Sequence, residues 1–234
     1  MTGIKFRSDL VVELIDHNCS DESVLRSMLV STDKDNLVED MDEGAKRGRI
    51  NYLVKNRHMS PLEHGSMTVR VEAPIKVVRE WHRHRTQSYN EVSGRYVKLM
   101  PHFYIPGEGR PLIQVGKPGA YEFHEGTDGQ KEVVNTEMRK VFSHAWTTYE
   151  YLLEQDVAKE VARGVLPVNT YTSWYATANP RNWLQFLSLR TKNLDSAFPS
   201  YPMWEIEQCA IKVESFLKEL MPLTVEAWDA SGRV

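Results

Sequence analysis

Apolar residues recur along most of the chain at helical spacing, and only two short segments have the character of strands. Alternating or β-favouring residues predict strands over Ser66–Ala73 and Tyr171–Ala176. Helical spacing predicts helices over residues 35–58, 136–153, 157–165, 179–189 and 203–220. Because helices and strands do not alternate regularly, the pattern indicates an α+β fold, with long helices packed around a small, mostly antiparallel sheet.

Proline, asparagine and glycine mark where the predicted elements begin and end. Pro74 suits the first turn of a further helix that leads towards Arg83. Asn179 before Pro180 is a helix N-cap followed by proline at the first helical position. The segment Tyr104–Gly129 contains three prolines and six glycines, which predicts irregular surface structure there.

The composition is that of a globular protein with a hydrophobic core. Of the 234 residues, 41% are hydrophobic and 26% are charged, which suits one good-sized domain or two small ones. The chain shows no internal repeat. We treat residues 1–234 as a single domain. The formal net charge of −3 argues against a nucleic-acid-binding protein, which usually carries a basic excess.

Neither a membrane span nor a signal peptide is expected. No apolar run approaches the length that a bilayer requires, and charged residues interrupt residues 1–16. Cys19 and Cys209 are far apart in sequence and belong to no Cys-x-x-Cys or Cys/His cluster. Two buried free thiols in a reducing compartment are the expected state, which predicts a cytoplasmic protein.

A dense group of hydrogen-bond donors lies between Arg79 and Arg95. Four arginines stand in this segment against two glutamates, and the segment includes Ser93 and Gly94. An arginine guanidinium binds phosphate or carboxylate through two parallel hydrogen bonds, and glycine lets the backbone approach a bulky anion closely. A solvated helix end would explain the first arginines but not the donors that continue through Gly94. The segment therefore predicts an anion-binding site in an enzyme.

The consecutive residues Arg83, His84 and Arg85 constrain how that site can be built. Neighbouring residues of a helix are about 100° apart around its axis, so these three cannot face one ligand while they are helical. Either the helix unwinds there, or the three residues serve different ligands or different subunits. His82 and His84 would lie about 200° apart on a helix, so they could not share a metal ion, and no metal site is expected.

These residues resemble the signature of the flavin-dependent thymidylate synthases. The family pattern RHR followed by SxNExSGRY is matched by Arg83–Tyr96, which reads RHRTQSYNEVSGRY. The family motifs H-x-[TS]-P-x-E-H, V-A-R-x-x-L-P and N-x-R-x-x-x-[NQ]-F-x-x-x-R are matched by His58–His64, Val161–Pro167 and Asn179–Arg190. The motifs are long and irregular, and the resemblance extends from about residue 35 to the last predicted helix.

The resemblance implies a homotetramer with FAD at its subunit interfaces and dUMP stacked near the flavin. NADPH would reduce the flavin, and methylenetetrahydrofolate would supply the carbon of the new methyl group. By the same resemblance, the FAD-binding residues are His58, Ser60, Arg83, His84, Arg85, Asn179, Arg181 and Gln185. The dUMP-binding residues are Glu80, Arg83, Glu91, Ser93, Gly94, Arg95, Arg163 and Arg190.

Arg190 is the residue that we assign, on this resemblance, to substrate activation. An arginine stays protonated at any relevant pH, so it cannot act as a general base. Its guanidinium can instead stabilise negative charge on the uracil and make C5 more nucleophilic. Cys19 and Cys209 lie outside every matched segment, which agrees with a reaction that uses no cysteine nucleophile. No base that could activate Ser93 is identified, so we assign Ser93 to binding.

The chain departs from the family pattern at two places. Glu80 stands where a glutamine is common, and residues 195–203 replace a shorter segment that contains a histidine and a glutamine in many relatives. In addition, Arg181 and Arg190 are about 180° apart on an ideal helix. Flavin and uracil contacts would then come from opposite faces unless the helix ends or bends before Arg190.

Two other hypotheses stay open at this point. A nucleotide- or RNA-binding module could use the same arginines together with Trp81 and Tyr89 and perform no chemistry. A flavoprotein of the same fold whose pyrimidine chemistry has diverged would account for the altered segment after Arg190.

Overall fold

The computed structural model describes residues 3–234, which form eight strands and eight α-helices. The strands are Lys5–Arg7 (β1), Val11–His17 (β2), Met67–Pro74 (β3), Ser88–Glu91 (β4), His102–Tyr104 (β5), Ile113–Lys117 (β6), Ala120–His124 (β7) and Tyr171–Ala178 (β8). The α-helices are Asp21–Leu29 (α1), Glu43–Lys55 (α2), Ile75–Trp81 (α3), Asp128–Glu154 (α4), Lys159–Ala162 (α5), Pro180–Arg190 (α6), Trp204–Leu220 (α7) and Pro222–Ala230 (α8). Short 3-10 turns occupy Val30–Thr32, Asp35–Leu37, Ser60–Glu63 and Arg163–Val165.

The predicted α+β class is confirmed, although the strands of residues 3–234 form three sheets rather than one. The largest sheet has four strands in the order β2-β3-β8-β4, and it contains both strands that the sequence predicts. Strands β1 and β5 pair in parallel, and β6 and β7 form an antiparallel hairpin. Within the same range of residues, none of the helices is long and apolar enough to cross a membrane.

The chain folds into two compact units, and each unit is built from three separate stretches of the sequence. The first unit contains residues 3–11, 71–83 and 90–174. The second unit contains residues 12–70, 84–89 and 175–234. The core of the first unit is largely aromatic and is formed by Phe103, Ile105, Phe142, Trp146, Tyr149 and Ala162.

The second unit is built mainly from helices. Helix α2 packs against α8, and α6 packs against α7, with Ile50, Trp183, Val213 and Trp228 among the buried side chains. Trp183 Nε1 donates to the carbonyl oxygen of Met67 at 3.0 Å. This large side chain is therefore buried without losing its hydrogen bond.

The first predicted helix is too long at both ends. The sequence predicts a helix over residues 35–58, but α2 runs from Glu43 to Lys55. Asp42 is its N-cap, and its carboxylate accepts from the backbone N–H of Ala45 at 2.8 Å. The capping residue accepts from a backbone N–H that the helix itself leaves unpaired. Here the cap, and not the apolar spacing, determines where the helix begins.

The prediction of irregular structure over Tyr104–Gly129 is confirmed for residues 105–112 and 125–127 but wrong for residues 113–124. Strands β6 and β7 form a hairpin in which Lys117 pairs with Ala120. Gly116 and Gly119 have φ values of 96° and 85°, a region that favours glycine. A Cβ on Gly116 would lie 2.6 Å from the carbonyl oxygen of Ala120. The glycines that suggested a loop are thus the residues that allow a tight hairpin.

The remaining predicted helices are confirmed apart from their ends. Helix α4 begins earlier than predicted, at Asp128, and α6 continues to Arg190. Of residues 157–165, only Lys159–Ala162 are α-helical, and a 3-10 turn follows. The predicted helix over 203–220 corresponds to α7.

Helix α8 was not predicted, because its N-terminus depends on a residue far away in the sequence. The buried carboxylate of Asp21 accepts from the backbone N–H groups of Leu223 and Thr224 at 2.8 and 3.0 Å. Pro222 is the first helical residue and needs no such partner. Elements β1, β2 and α1, which lie before residue 35, were likewise not predicted.

Candidate active site

The segment Arg83–Arg85 lies in a turn, because α3 ends at Trp81. Trp81 is fully buried and meets the ring of Trp174 edge-on, with 5.5 Å between the ring centroids. Of the two arrangements considered from the sequence, the unwound helix end is therefore present. Arg83 and Arg85 are exposed, whereas His84 is buried.

The backbone and the ring of His84 are both fixed by their neighbours. Tyr89 Oη donates to the carbonyl oxygen of His84 at 2.6 Å, and the imidazole meets the ring of Phe186 edge-on at 4.8 Å. Arg190 Nε donates to His84 Nε2 at 2.9 Å. Burial, with a smaller contribution from the charge of Arg190, lowers the pKa of His84 to about 4. The imidazole is therefore neutral at pH 7.

Helix α6 begins at a cap that also holds the turn after His84. Asn179 Oδ1 accepts from the backbone N–H of Asn182 at 2.9 Å, as predicted for an N-cap. Asn182 Nδ2 donates to the carbonyl oxygen of Thr86 at 3.0 Å. The first turn of α6 thus stabilises the segment that carries the arginine motif.

Arg181 and Arg190 stand at the two ends of the unbroken helix α6. The helix ends at Arg190 and not before it, so the angular separation expected from the sequence is present. Arg181 forms an ion pair with Glu63, and Arg190 contacts His84. The two arginines therefore have different local partners.

Several residues assigned to flavin binding line one cavity of the second unit. It has a volume of about 580 Å³ and is lined in part by His58, Ser60 and Arg181. Arg49 and Arg57 also line it. Three guanidinium groups around one concave surface create a positive potential that favours an anionic ligand.

A second cavity, of about 460 Å³, shares Arg57 and Arg181 with the first. Gln185, which we assign to flavin binding, lines this cavity, and so does Thr86 from the arginine motif. Volumes of a few hundred cubic ångströms are typical of small-molecule sites. The second unit therefore brings four of the eight predicted flavin residues, His58, Ser60, Arg181 and Gln185, to two cavities that have two arginines in common.

Most residues assigned to dUMP belong to the first unit, and Arg190 belongs to the second. Gly94 is buried: a Cβ on it would lie 3.2 Å from Arg163 Cδ and 3.1 Å from Leu99 Cδ1. The close approach that this glycine permits in the protein is therefore to Arg163 and Leu99. The structure thus brings Gly94 and Arg163, two predicted site residues from different motifs, together.

The other members of this group lie near the surface of the first unit. Glu91 Oε1 accepts from Thr172 Oγ1 at 2.8 Å, which ties the motif to strand β8. Ser93 Oγ accepts from the backbone N–H of Arg95 at 3.3 Å, and Arg95 Nε donates to Glu160 at 2.8 Å. An anionic ligand of Arg95 would therefore compete with Glu160.

Glu80 and Arg83 lie at the end of α3 in the first unit. Glu80 is half-buried, and its carbonyl oxygen accepts from the backbone N–H of Arg83 at 3.4 Å.

Sequence reasoning missed three arginines beside the cavities, Arg49, Arg57 and Arg233. Arg57 lines both cavities and has a φ of 57°, which is uncommon for a residue with a side chain. Its position directly before His58 is a signal that could have identified it. Arg233 lines the second cavity, and although Asp229 is only four residues away, its partners Thr191 and Glu214 are distant in sequence.

The whole sequence matches known proteins. The family model described as thymidylate synthase complementing protein matches residues 13–223. A flavin-dependent thymidylate synthase of Streptomyces avermitilis is 47% identical over 232 residues, which cover 98% of this chain and 94% of that protein. The chain belongs to the flavin-dependent thymidylate synthase family. A second flavin-dependent thymidylate synthase, from Tropheryma whipplei, is 48% identical over 230 residues, with 98% and 96% of the two chains covered.

Solved structures extend this family relationship to the fold. The UMP/dUMP methylase PolB of Streptomyces cacaoi, bound with 5-Br UMP, matches with a TM-score of 0.93 and 44% identity. The match covers 99% of this chain and 98% of that one. The same enzyme bound with 5-Br dUMP also has a TM-score of 0.93, at 45% identity. This member of the flavin-dependent thymidylate synthase family therefore shares nearly its whole fold with a pyrimidine-nucleotide methylase.

Proposed function

We propose that the protein converts dUMP to dTMP, with methylenetetrahydrofolate as the one-carbon donor and NADPH-reduced FAD as the hydride source. The observation that carries the proposal is the match, at a TM-score of 0.93 over 99% of the chain, to a nucleotide methylase. Curated relatives named flavin-dependent thymidylate synthase support it. The protein acts in the cytoplasm, and its chain works as a single domain.

The donors around the two cavities of the second unit suit FAD. Arg49, Arg57 and Arg181 can pair with a diphosphate, and the Gln185 amide can both donate to and accept from the edge of a flavin ring. The proposed FAD-binding residues are His58, Ser60, Arg83, His84, Arg85, Asn179, Arg181 and Gln185. Bound there, FAD would supply hydride chemistry that side chains do not provide.

The dUMP-binding residues combine phosphate donors with groups that position the base. Arg83, Arg95 and Arg163 are exposed on the first unit and can pair with the phosphate. The proposed set is Glu80, Arg83, Glu91, Ser93, Gly94, Arg95, Arg163 and Arg190. Since these arginines face outward, a neighbouring subunit can enclose the ligand, and we propose that the sites form at the subunit interfaces of a homotetramer.

Arg190 activates the uracil in this proposal. Its guanidinium stays protonated and donates to the oxygen and nitrogen atoms on which negative charge develops. A fixed positive group stabilises that charge most effectively where water is excluded, and removal of one such donor costs about 10²–10³ in kcat. Arg190 is half-buried, which suits this role.

The two cysteines have no part in the proposed reaction. Both are free and buried, as the sequence predicts. Burial raises the pKa of Cys209 to about 12 and also raises that of Cys19. Because the thiolate is the nucleophilic form, neither thiol is an effective nucleophile at pH 7.

UMP is a second candidate substrate, favoured by the activity that the name of the PolB neighbour gives for both nucleotides. Methylation of UMP would use the same anion contacts and the same Arg190, so only the 2′-hydroxyl distinguishes the two reactions. The assay is therefore run with dUMP and UMP in parallel, and the ratio of kcat/KM values identifies the preferred substrate.

The test of the proposal compares two arginine variants. The wild-type protein is expected to bind FAD with a flavin absorption spectrum, and to form dTMP from dUMP when NADPH and methylenetetrahydrofolate are present. Arg190→Ala should lower kcat by about 10²–10³-fold and retain the flavin. Arg85→Ala should weaken flavin retention, because Arg85 is assigned to FAD binding.

Spectra and product masses measured on the same samples separate the possible results. A wild-type protein that gains no flavin spectrum when incubated with FAD would contradict the proposed function. Near-normal turnover of Arg190→Ala would contradict the activation role of that residue and leave the overall reaction standing.

A further inference from the structure

The contact between His84 and Arg190 joins two motifs that are 106 residues apart in sequence. Resemblance assigns His84 to the flavin and Arg190 to the pyrimidine, but neither assignment requires these side chains to touch. In the protein, Arg190 Nε donates to His84 Nε2 at 2.9 Å. An acceptor at Nε2 requires the imidazole to carry its proton on Nδ1, because a neutral ring has one donor and one acceptor nitrogen.

We propose that His84 is a positioning residue for Arg190, and that its neutral imidazole holds the guanidinium in the orientation that activates the uracil. This inference rests on the proposed function, since it assumes that Arg190 acts on a pyrimidine nucleotide.

Arg190 needs such a support because of where it lies. It is the last residue of α6, and Thr191 after it is already extended, with φ −117° and ψ 136°. An arginine side chain loses about 2 kcal/mol of rotamer entropy when it is fixed. A misplacement of about 1 Å in a catalytic group can cost about 10²-fold in rate. One hydrogen bond to Nε restricts the plane of the guanidinium and reduces both penalties.

His84 is a suitable support because it is itself rigid. It is 8% exposed, its carbonyl oxygen accepts from Tyr89 Oη, and its ring packs edge-on against Phe186. Phe186 lies one helical turn before Arg190 on α6, so the same helix contacts both the edge and the acceptor nitrogen of the imidazole.

The charge state of His84 agrees with this role. Arg190 from α6 and Tyr89 from β4 are titratable groups in contact with it. Burial and the Arg190 charge lower the pKa of His84 to about 4, so at pH 7 the ring can accept a hydrogen bond from a cation. A protonated ring would have no acceptor nitrogen and would repel the guanidinium.

Three substitutions at His84 separate positioning from simple packing. In His84→Gln the Oε1 atom can occupy the place of Nε2, whereas in His84→Asn the Oδ1 atom lies closer to the place of Nδ1. His84→Leu offers no acceptor. At saturating FAD and dUMP, we expect kcat to fall by about 10²-fold in the Leu and Asn variants and to recover to within about 5-fold of wild type in Gln.

The results distinguish this inference from the proposed function. The inference is overturned if His84→Leu keeps kcat within about 3-fold of wild type while Arg190→Ala is inactive. It is also overturned if all three variants, Gln included, lose activity equally at limiting FAD and regain it at saturating FAD, because His84 would then act only in flavin binding. A wild-type protein inactive on dUMP and UMP contradicts the proposed function itself.

A measurement on the wild-type protein covers the case in which the variants do not fold. Nitrogen NMR of the imidazole at pH 7 should show a neutral His84 with its proton on Nδ1 and an unprotonated Nε2. A proton on Nε2 in the folded protein would be incompatible with acceptance from Arg190 and would overturn the inference.

Discussion

Two arginines of the candidate site form ion pairs with a glutamate of the same unit. Arg181 pairs with Glu63 and Arg95 pairs with Glu160, both at the surface. An exposed ion pair contributes about 0–1 kcal/mol, so an anionic ligand can displace these carboxylates at little cost. Arg190 differs from them because its acceptor is a buried, neutral imidazole.

The low pKa of His84 predicts how stability depends on pH. An unfolded histidine takes up a proton near pH 6.5, whereas folded His84 does so only near pH 4. Between these values the unfolded chain binds more protons, so the free energy of unfolding should fall as the pH falls, by about 2 kcal/mol between pH 7 and pH 5. Urea unfolding at both pH values, with equal protein and flavin concentrations, measures this difference.

The control for the pH experiment is His84→Gln, whose side chain does not titrate. The pKa of His102 is also lowered by burial, so part of the pH dependence should remain in the variant. An identical pH dependence in wild type and His84→Gln would show that His84 is not the buried neutral group described above.

At the scale of elements, the end of α6 is held by residues from later in the chain. Thr191 Oγ1 donates to the Leu187 carbonyl and accepts from Arg233 Nη1 at 2.8 Å. Arg233 is buried, pairs with Glu214 of α7 and Asp229 of α8, and lies over the ring of Trp228 at 4.5 Å. One guanidinium therefore connects the ends of α6 and α8 with the middle of α7.

The segment that departs from the family pattern is attached to the same region. Ser200 Oγ donates to the Leu189 carbonyl at 2.6 Å, and the backbone N–H of Ala197 donates to the carbonyl of Gly232 at 2.9 Å. Residues 195–203 therefore have ordered contacts with α6 and with the residues around Arg233.

Removal of the Arg233 guanidinium should destabilise the second unit. In Arg233→Met, Glu214 stays buried and loses its ion pair with Arg233, while its ion pair with Lys218, at 2.8 Å, remains. Breaking a buried ion pair typically lowers the free energy of unfolding by about 3–5 kcal/mol. Because Lys218 remains as a partner of Glu214, we expect a loss at the lower end of this range, about 3 kcal/mol. Thermal and urea unfolding measure this loss.

Arg26→Met is the matched control for the Arg233 experiment. Arg26 pairs with Glu39 at 2.7 Å in the same unit, but both side chains are exposed. Its loss should change stability much less. Equal effects of the two substitutions would show that burial does not determine the contribution of Arg233.

At the scale of the whole molecule, the proposed homotetramer agrees with the surface of the first unit. Tyr96 is 74% exposed and Val161 63% exposed, and both belong to the matched motifs. Large apolar side chains beside proposed ligand-binding residues are expected where another subunit completes a site.

Light scattering after gel filtration tests this assembly. The chain has a mass of 27.0 kDa, so a homotetramer should give about 108 kDa, four times that value. A mass that stays near 27.0 kDa at micromolar concentration, in protein that is active, would contradict subunit-interface sites.

Local sequence was sufficient for the parts of this protein that depend on neighbours in the chain. The strands at β3 and β8, the Asn179 cap and the helices α4, α6 and α7 follow from short-range periodicity and capping. The arginine-rich segment predicted an anion site for the same reason, since its donors are consecutive. Boundaries failed where a cap or a turn glycine, such as Asp42 or Gly116, outweighed apolar spacing.

Tertiary structure alone decided the features whose partners are distant in sequence. The cap that Asp21 provides for α8 and the contacts of Arg233 with Thr191 and Glu214 leave no local periodicity. The contact of His84 with Arg190 is of the same kind: sequence identifies both residues as candidates for a site, but only folding brings an acceptor nitrogen to a guanidinium from another motif. Hydrogen bonds and burial act through space, and a pattern along the chain records only those contacts that are also close in sequence.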